Sequence, residues 1–339
     1  MPVFDRQTKN PNYPSLDTGA PEAIAQYLAG RNLIHADERV LSVAAIGSAA
    51  RNAIVRVTTS ARSFVVKQFR PWPALDRPAP GPEERFRAET LFYRSARIAD
   101  CARAALPEVL HQDAQAGCII LDDAGDALPL SGRPIPPETA AKLGWFLVSL
   151  HHRSRSVPAC AHYRNEQVVG WQMARLFTVA SAKGRGEWLA RWRASGDDVC
   201  FALEDALGAL ERGGTSLVHG DYTPANWVQN GHGPRIVDGE FSFFGPPEYD
   251  VGSYLAGLLL DRQPRETLHA ALEVISGGCF RYDARLAAAF AGAHLCSALD
   301  RTTRAGLAVA LRGSAAMAVL RRLHSAIRIR SFDVLLPRA

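Results

Sequence analysis

Hydrophobic and polar positions alternate over three short runs early in the chain, VLSVAAIG, NAIVRVTT and SFVVKQF. Period-two alternation in Val- and Ile-rich segments, broken by small polar turns, predicts three consecutive antiparallel strands. Ahead of them, residues 1–20 read as a polar lead-in. Residues 21–31 read as a short helix, with Pro21 in its first turn and Gly30 near its end. Behind the strands, Pro71, Pro73, Pro78 and Pro80 predict a loop. The period then lengthens. In EERFRAETLFYRSARIA, Phe86, Leu91, Phe92 and Ala96 share one broad face, which predicts a helix over 82–99. EVLHQ and GCIILDD read as two further strands.

After a loop over 125–137, helical spacing dominates. Leu143, Phe146, Leu147 and Leu150 mark an amphipathic helix over 139–152. Helical patterns follow over 165–181, 185–195, 198–212, 250–261, 265–276, 283–298 and 301–328. Short strand-like runs, SLVHG, NWVQ and RIVD, interrupt them. Strands first and helices later predict an α+β protein of two lobes. The expected division is a lead-in over 1–20, a sheet-bearing lobe over 21–124 and a helical lobe over 125–339. A cleft between lobes is where a small ligand binds.

Composition changes this picture little. Hydrophobic residues make up 47% and charged ones 22%, the balance of an ordinary globular protein. The formal charge of +5 favours anionic ligands such as nucleotides. The densest basic cluster, Arg321, Arg322, Arg328 and Arg330, lacks the interleaved aromatics of a nucleic-acid surface, so no nucleic-acid partner is expected. Six scattered cysteines form no C-x-x-C pair and read as buried thiols in a reducing compartment. No signal-peptide layout and no bilayer-length apolar stretch are present, so the expectation is a cytoplasmic protein without a membrane partner, monomeric or homodimeric.

The chemistry concentrates in residues 218–250, VHGDYTPANWVQNGHGPRIVDGEFSFFGPPEYD. Asp221 and Asn226 stand five residues apart before a short strand, so one tight loop can turn both toward one ligand. A carboxylate there can accept the proton of a hydroxyl nucleophile, and the Asn offers a carbonyl oxygen to Mg²⁺. Twelve residues on, Asp238 ends the apolar run RIVD, with Glu240 two positions later. Hard oxygen ligands in this number suit Mg²⁺. Asp221 or Asp238 alone would read as a turn or strand-end residue. The ordered set HGD-x4-N then IVD-x-E carries the chemical reading.

HGDYTPAN followed by IVDGE resembles the catalytic loop and metal-binding aspartate of the aminoglycoside phosphotransferase and choline kinase group, relatives of the protein kinases. A closer resemblance is to the 5-methylthioribose kinases, through DGEFSFFGPPEYDVGSYLAGLLL, VVKQFRPW and MAVLRRLHSAIRIRSF. It covers most of residues 21–333 and is strongest at 217–252. The resemblance implies a bilobal protein-kinase-like fold that uses ATP or GTP with Mg²⁺ and phosphorylates a hydroxyl of a small molecule. It assigns the phosphates to Lys67, paired with Glu89 of the E-T-L run, with Glu83 and Glu84 as alternatives one or two turns earlier. It further assigns Gly47, Ser48 and Asn52 of GSAARN to a phosphate-covering loop, and Asp122, Asp123 and Ala124 to the adenine hinge. Asn226, Asp238 and Glu240 become the Mg²⁺ ligands, and Asp221 accepts the proton. His219 and Asp250 brace the catalytic loop. Arg321 and Arg322 either reach the acceptor or form a surface pair on an amphipathic helix. His151 and His152 read as helix-end residues.

Two departures leave the acceptor open. Asn226 stands where methylthioribose kinases carry Ser, and Gly239 replaces the Pro of their D-P-E. Residues 164–198 are mildly basic and hold Trp171, Trp188 and Trp192, rather than the acids that would pair with an amino-sugar. The reading is a kinase of a neutral or anionic sugar, nucleoside or glycosylated compound. An antibiotic-inactivating phosphotransferase and a catalytically silent, kinase-shaped binding protein are its rivals.

Overall fold

The structure, a computed structural model, describes residues 21–46, 52–71, 79–125, 128–156, 164–178, 186–305 and 313–336. Helix α1 (Pro21–Gly30) leads into β1 (Val40–Ala45), β2 (Asn52–Thr59) and β3 (Ser63–Phe69). Helix α2 (Pro82–Ala96) and the single turn α3 (Ala102–Ala105) precede β4 (Val109–Asp113) and β5 (Cys118–Asp122). These strands form one antiparallel sheet in the order β1-β2-β3-β5-β4. All five strands were legible, three as Val- and Ile-rich runs and two as short strand-like runs. The turn α3 was not, because ARAA is too short to show a period.

Alternation in β2 and β3 sorts the sheet's two faces. Val55, Val57, Phe64 and Val66 pack with Ile24 and Leu28 of α1. The opposite face carries Phe69, and Ile119 and Leu121 of β5, into the larger core with Phe92 and Tyr93 of α2. Lys67, between Val66 and Phe69, therefore falls on the α2 side.

The helical part begins with a two-residue strand, β6 (Leu128–Pro129), inside the expected 125–137 loop. Helices α4 (Pro137–Ser154), α5 (Glu166–Phe177), α6 (Glu187–Arg193) and α7 (Asp197–Arg212) follow. Then come β7 (Ser216–Val218), β8 (Trp227–Asn230), β9 (Gly233–Ile236) and β10 (Phe243–Gly245), the last pairing with β7. Helices α8 (Glu248–Leu260), α9 (Arg265–Gly277), α10 (Ala284–Ala305) and α11 (Gly313–Ile329) complete it. The expected break near residue 300 does not occur, and α10 runs on to Ala305. Leu299, Asp300 and Arg301 contain neither Gly nor Pro, so nothing there stops a helix. Asp300 instead accepts the backbone N–H of Gly186 and of Trp188 at the start of α6. Among the described residues, no helix is long and apolar enough to cross a membrane. The buried-thiol expectation holds for Cys118 and Cys296, whereas Cys279 is exposed.

One polar lock fixes α1 to the sheet. Asp113 at the end of β4 accepts Tyr27 Oη at 2.9 Å and Arg31 Nη2 at 2.8 Å. Burial would raise its carboxyl, but the Ala116 backbone N–H and the Arg31 guanidinium outweigh burial and hold it below the ordinary value. A depressed folded pKa stabilises the fold above the unfolded value, and that contribution is lost as pH falls through the folded one. Asp113→Asn should therefore cost about 1–3 kcal/mol in urea unfolding at pH 7. The gap between mutant and wild type should close as the pH drops below about 4.

Candidate active site

The face shared by β3 and α2 builds the charged centre. On α2, Arg85, Glu89 and Tyr93 recur at four-residue spacing and lie on one buried side. Lys67 Nζ sits 2.5 Å from Glu89 Oε2, contacts Asp238 Oδ1, and lies 3.7 Å from Glu240 Oε2. Burial alone would lower the lysine, but the Asp238, Glu89 and Glu240 carboxylates raise it well above its ordinary value. Burial, joined by Asp238 and Glu240, pushes Glu89 up to about 7, against the downward pull of Lys67. Three carboxylates thus share one ammonium.

Glu240 is engaged on a second side. Asn52 Nδ2 donates to Glu240 Oε2 at 2.7 Å, and Arg85 Nη1 reaches the same oxygen at 3.1 Å. Arg85 Nη1 also donates to Asn52 Oδ1 at 2.7 Å. Arg85 is fully buried. The Asn52 side chain is thus committed to Arg85 and Glu240. Gly47 and Ser48 lie outside the described residues.

Glu89, Asp238 and Glu240 offer carboxylate oxygens within 4.8 Å of one another, a donor set that fits a hard divalent cation. The Asp238 side chain is 29% exposed while those of Glu89 and Glu240 are 1% exposed, so Asp238 is the reachable member. Strand β9 stops at Ile236, so Asp238 does not end the strand as RIVD suggested. It stands two residues beyond, at φ +68°, in the left-handed region. Strain of this kind costs about 1–3 kcal/mol and clusters at functional sites. Tyr93 Oη accepts the Asp238 backbone N–H at 3.3 Å. At Gly239 a Cβ would stand 2.4 Å from the Phe92 ring, so the position admits no side chain unless Phe92 moves.

The loop bearing Asp221 is held from below. Asp250 accepts the backbone N–H of His219 at 2.7 Å and of Gly220 at 3.1 Å, one on each oxygen. His151 Nε2 lies 3.4 Å from Asp250, and its Nδ1 lies 3.0 Å from Tyr282 Oη. His151 is thus a buried brace beneath the loop. Sequence reading placed it only at a helix end and carried no signal for this contact. Gly220 sits at φ +83°, where an added Cβ would meet Phe241 O at 2.0 Å. His219 Nδ1 accepts the Asp221 N–H, which leaves Nε2 to donate to Val237 O. Asn226 Nδ2 donates to Asp221 Oδ2 at 3.0 Å. Its carbonyl oxygen is the atom left for a cation.

Beside Asp221 opens a cavity of about 560 Å³. Trp171 stacks on Phe241 at 5.0 Å, and Arg175 lies 5.3 Å over the Trp171 ring. His294, Ser253 and Arg301 also line it. Burial depresses the His294 pKa far below its usual value, which leaves the ring neutral. His294 Nε2 and Ser253 Oγ make no hydrogen bond to any described residue. Of the three tryptophans, only Trp171 lines this cavity; Trp192 is buried core. Arg321 is exposed and Arg322 Nη1 donates to Leu335 O at 3.0 Å. Neither lines the cavity. Leu320 and Leu323 take the buried face of α11, which leaves the pair beside them on the outer side. Arg175 and Arg301 line the cavity instead, without any motif that marked them.

Where the adenine hinge is expected, the side chains are already committed. Asp122 pairs with Arg235 at 2.7 Å, and Asp123 pairs with Arg56 at 2.8 Å and accepts Ser63 Oγ at 2.8 Å. Asn230 Nδ2 donates to Ala124 O at 3.0 Å. The hinge carboxylates therefore serve the protein's own packing.

A model described as the phosphotransferase enzyme family matches residues 42–302. The N-acetylmuramate/N-acetylglucosamine kinase of Pseudomonas aeruginosa is 27% identical over 202 residues, 57% of this chain and 56% of that protein. The methylthioribose kinase of Bacillus velezensis is 39% identical over 51 residues, 15% of this chain and 13% of that protein. The chain thus spans little more than half of one curated relative and a small part of the other. The solved choline kinase LicA from Streptococcus pneumoniae aligns over 91% of this chain and 98% of its own, at a TM-score of 0.53 and 14% identity. A choline/ethanolamine kinase family protein from Mesorhizobium loti aligns over 93% and 97%, at 0.54 and 17%. These two likenesses show the bilobal kinase-like fold.

The raised carboxyl of Glu89 has a pH signature. A folded pKa above the unfolded one stabilises at low pH, and the contribution is lost as pH rises through about 7. The melting temperature should fall between pH 5 and 8, and Glu89→Gln should flatten that slope in a thermal-shift series.

Proposed function

Because the chain belongs to the phosphotransferase enzyme family, we propose that it transfers the terminal phosphoryl group of ATP or GTP to a hydroxyl of a small neutral or anionic acceptor, of the sugar, nucleoside or glycosylated class. The observation that carries this reading is the position of Asp221. Its loop stands on the wall of the aromatic and arginine-lined cavity, and Asn226, on the same loop, joins it to the strand that leads to Asp238.

Asp221 Oδ2 is occupied by Asn226, which leaves Oδ1 to orient the acceptor hydroxyl and take its proton. Lys67, held by Glu89, faces the phosphates of the donor. Asn226 and Asp238 would hold Mg²⁺, which supplies charge compensation to the phosphates. Glu240, anchored by Arg85 and Asn52, keeps the Asp238 loop in place. Most of the rate gain comes from positioning and charge stabilisation.

The cavity also speaks to the acceptor. Arg175 and Arg301 balance Asp221 and Asp261 along its walls, whereas a polycation would call for an excess of acids. A flat aromatic surface at Trp171 suits the apolar face of a sugar or base. The Pseudomonas aeruginosa relative is an N-acetylmuramate/N-acetylglucosamine kinase, and N-acetylated sugars such as these carry no ammonium group.

ATP consumption should be measured with 5-methylthioribose, N-acetylmuramate, nucleosides, an aminoglycoside and choline as acceptors. Turnover is expected with a neutral or anionic acceptor; turnover with the aminoglycoside alone would overturn the acceptor class. With the accepted substrate, Asp221→Ala should lose roughly 10²–10⁴-fold in kcat while nucleotide affinity is kept. Near-normal turnover in that variant would remove Asp221 from the proton-accepting role.

A further inference from the structure

A second cavity, of about 730 Å³, opens behind the hinge. Its walls come from the end of α2, from α3 and β4, and from β9 of the helical part. Four arginines line it: Arg94, Arg97, Arg103 and Arg235. The acids among its lining residues are Glu108 and Asp122. Asp122 is already neutralised, since it pairs with Arg235 at 2.7 Å and also accepts the Glu108 backbone N–H. Three arginines and the half-buried His111 then face one remaining carboxylate.

Two of the guanidiniums are fixed in place. Arg97 Nη2 donates to Pro107 O at 2.6 Å, and Arg235 is held by Asp122. Arg94 and Arg103 make no hydrogen bond or ion pair with any described residue. Planar guanidiniums present paired N–H donors that match phosphate oxygens bidentately, and several of them together supply the charge that a dianion calls for. The space exceeds what one phosphate needs, so an organic body fits beside the charged group.

We propose that this cavity binds a phosphate dianion, carried by a small phosphomonoester or free in solution, at a site separate from the transfer centre. An occupant would touch Arg235 of the helical part together with Arg94 of α2 and Arg97 just beyond that helix, and so would bridge the two parts of the chain. The wall residue Tyr93 carries the consequence inward, because its hydroxyl accepts the Asp238 backbone N–H. The site owes nothing to the identity of the acceptor and stands apart from the transfer reaction.

The test is direct binding, by calorimetry, of inorganic phosphate and of glucose 6-phosphate to the full chain and to the Arg94→Ala/Arg103→Ala variant. Both side chains are exposed and unpartnered, so the variant should melt with wild type. Any phosphate bound at the transfer centre is common to both proteins and cancels in the comparison. The expected result is at least tenfold weaker binding by the variant, with partial recovery in Arg94→Lys/Arg103→Lys. Tighter binding of glucose 6-phosphate than of phosphate assigns the site to a phosphomonoester, and equal binding assigns it to the free ion. Equal affinity of variant and wild type, or no binding of either probe by wild type, overturns the proposal.

Discussion

One buried ammonium organises the site. Lys67 is 3% exposed and holds Glu89 and Asp238 around it, with Glu240 a little farther off. A lone charge at this depth would be costly, and so would any of the three carboxylates alone. Each is tolerable because the others are present. The consequence is mechanical as well as electrostatic. Lys67 belongs to β3, Glu89 to α2, and Asp238 to the loop after β9, so the charge cluster joins the sheet to the helical part.

A second buried cation extends this joint. Arg85 gathers Asn52 from the start of β2 and Glu240 from the Asp238 loop, and also donates to Arg70 O at the end of β3. Three separate stretches of the chain thus meet on one guanidinium whose planar fork can serve several acceptors at once. Resemblance to the methylthioribose kinases made Glu240 a cation ligand. The geometry gives it a heavy structural commitment, because the oxygen nearest Lys67 is also the one that Asn52 and Arg85 bind. The catalytic loop has its own support in Asp250 and His151. The site thus consists of two rigid halves, one braced by Arg85 and one by Asp250.

Much of this was legible in the chain. Three strands showed as Val- and Ile-rich runs and two more as short strand-like runs, while Lys67 and Glu89 were marked by the family resemblance, through VVKQF and the E-T-L run. HGD-x4-N gathers Asp221 and Asn226 within one loop, so local spacing was enough. Contacts that depend on chain folding back over long separations were not visible. Arg85 meets Glu240 across 155 residues, and His151 meets Asp250 across 99. Arg175 and Arg301 reach the cavity only because α5 and α10 cross beside the Asp221 loop. Arg321 and Arg322, by contrast, were marked by a motif, yet the apolar face of α11 turns them outward. A two-residue strand such as β6 and a single turn such as α3 leave no periodic trace at all.

The account rests on Lys67 and Glu89 acting as one unit in holding the donor nucleotide. A double-mutant cycle on the affinity for Mg²⁺ and a non-hydrolysable ATP analogue addresses this, using Lys67→Met, Glu89→Gln and the two combined. The account predicts that each single substitution weakens binding at least tenfold and that the combination is little worse than Lys67→Met alone, because the pair's contribution is lost once. Additive losses, or wild-type affinity in either single variant, would contradict it.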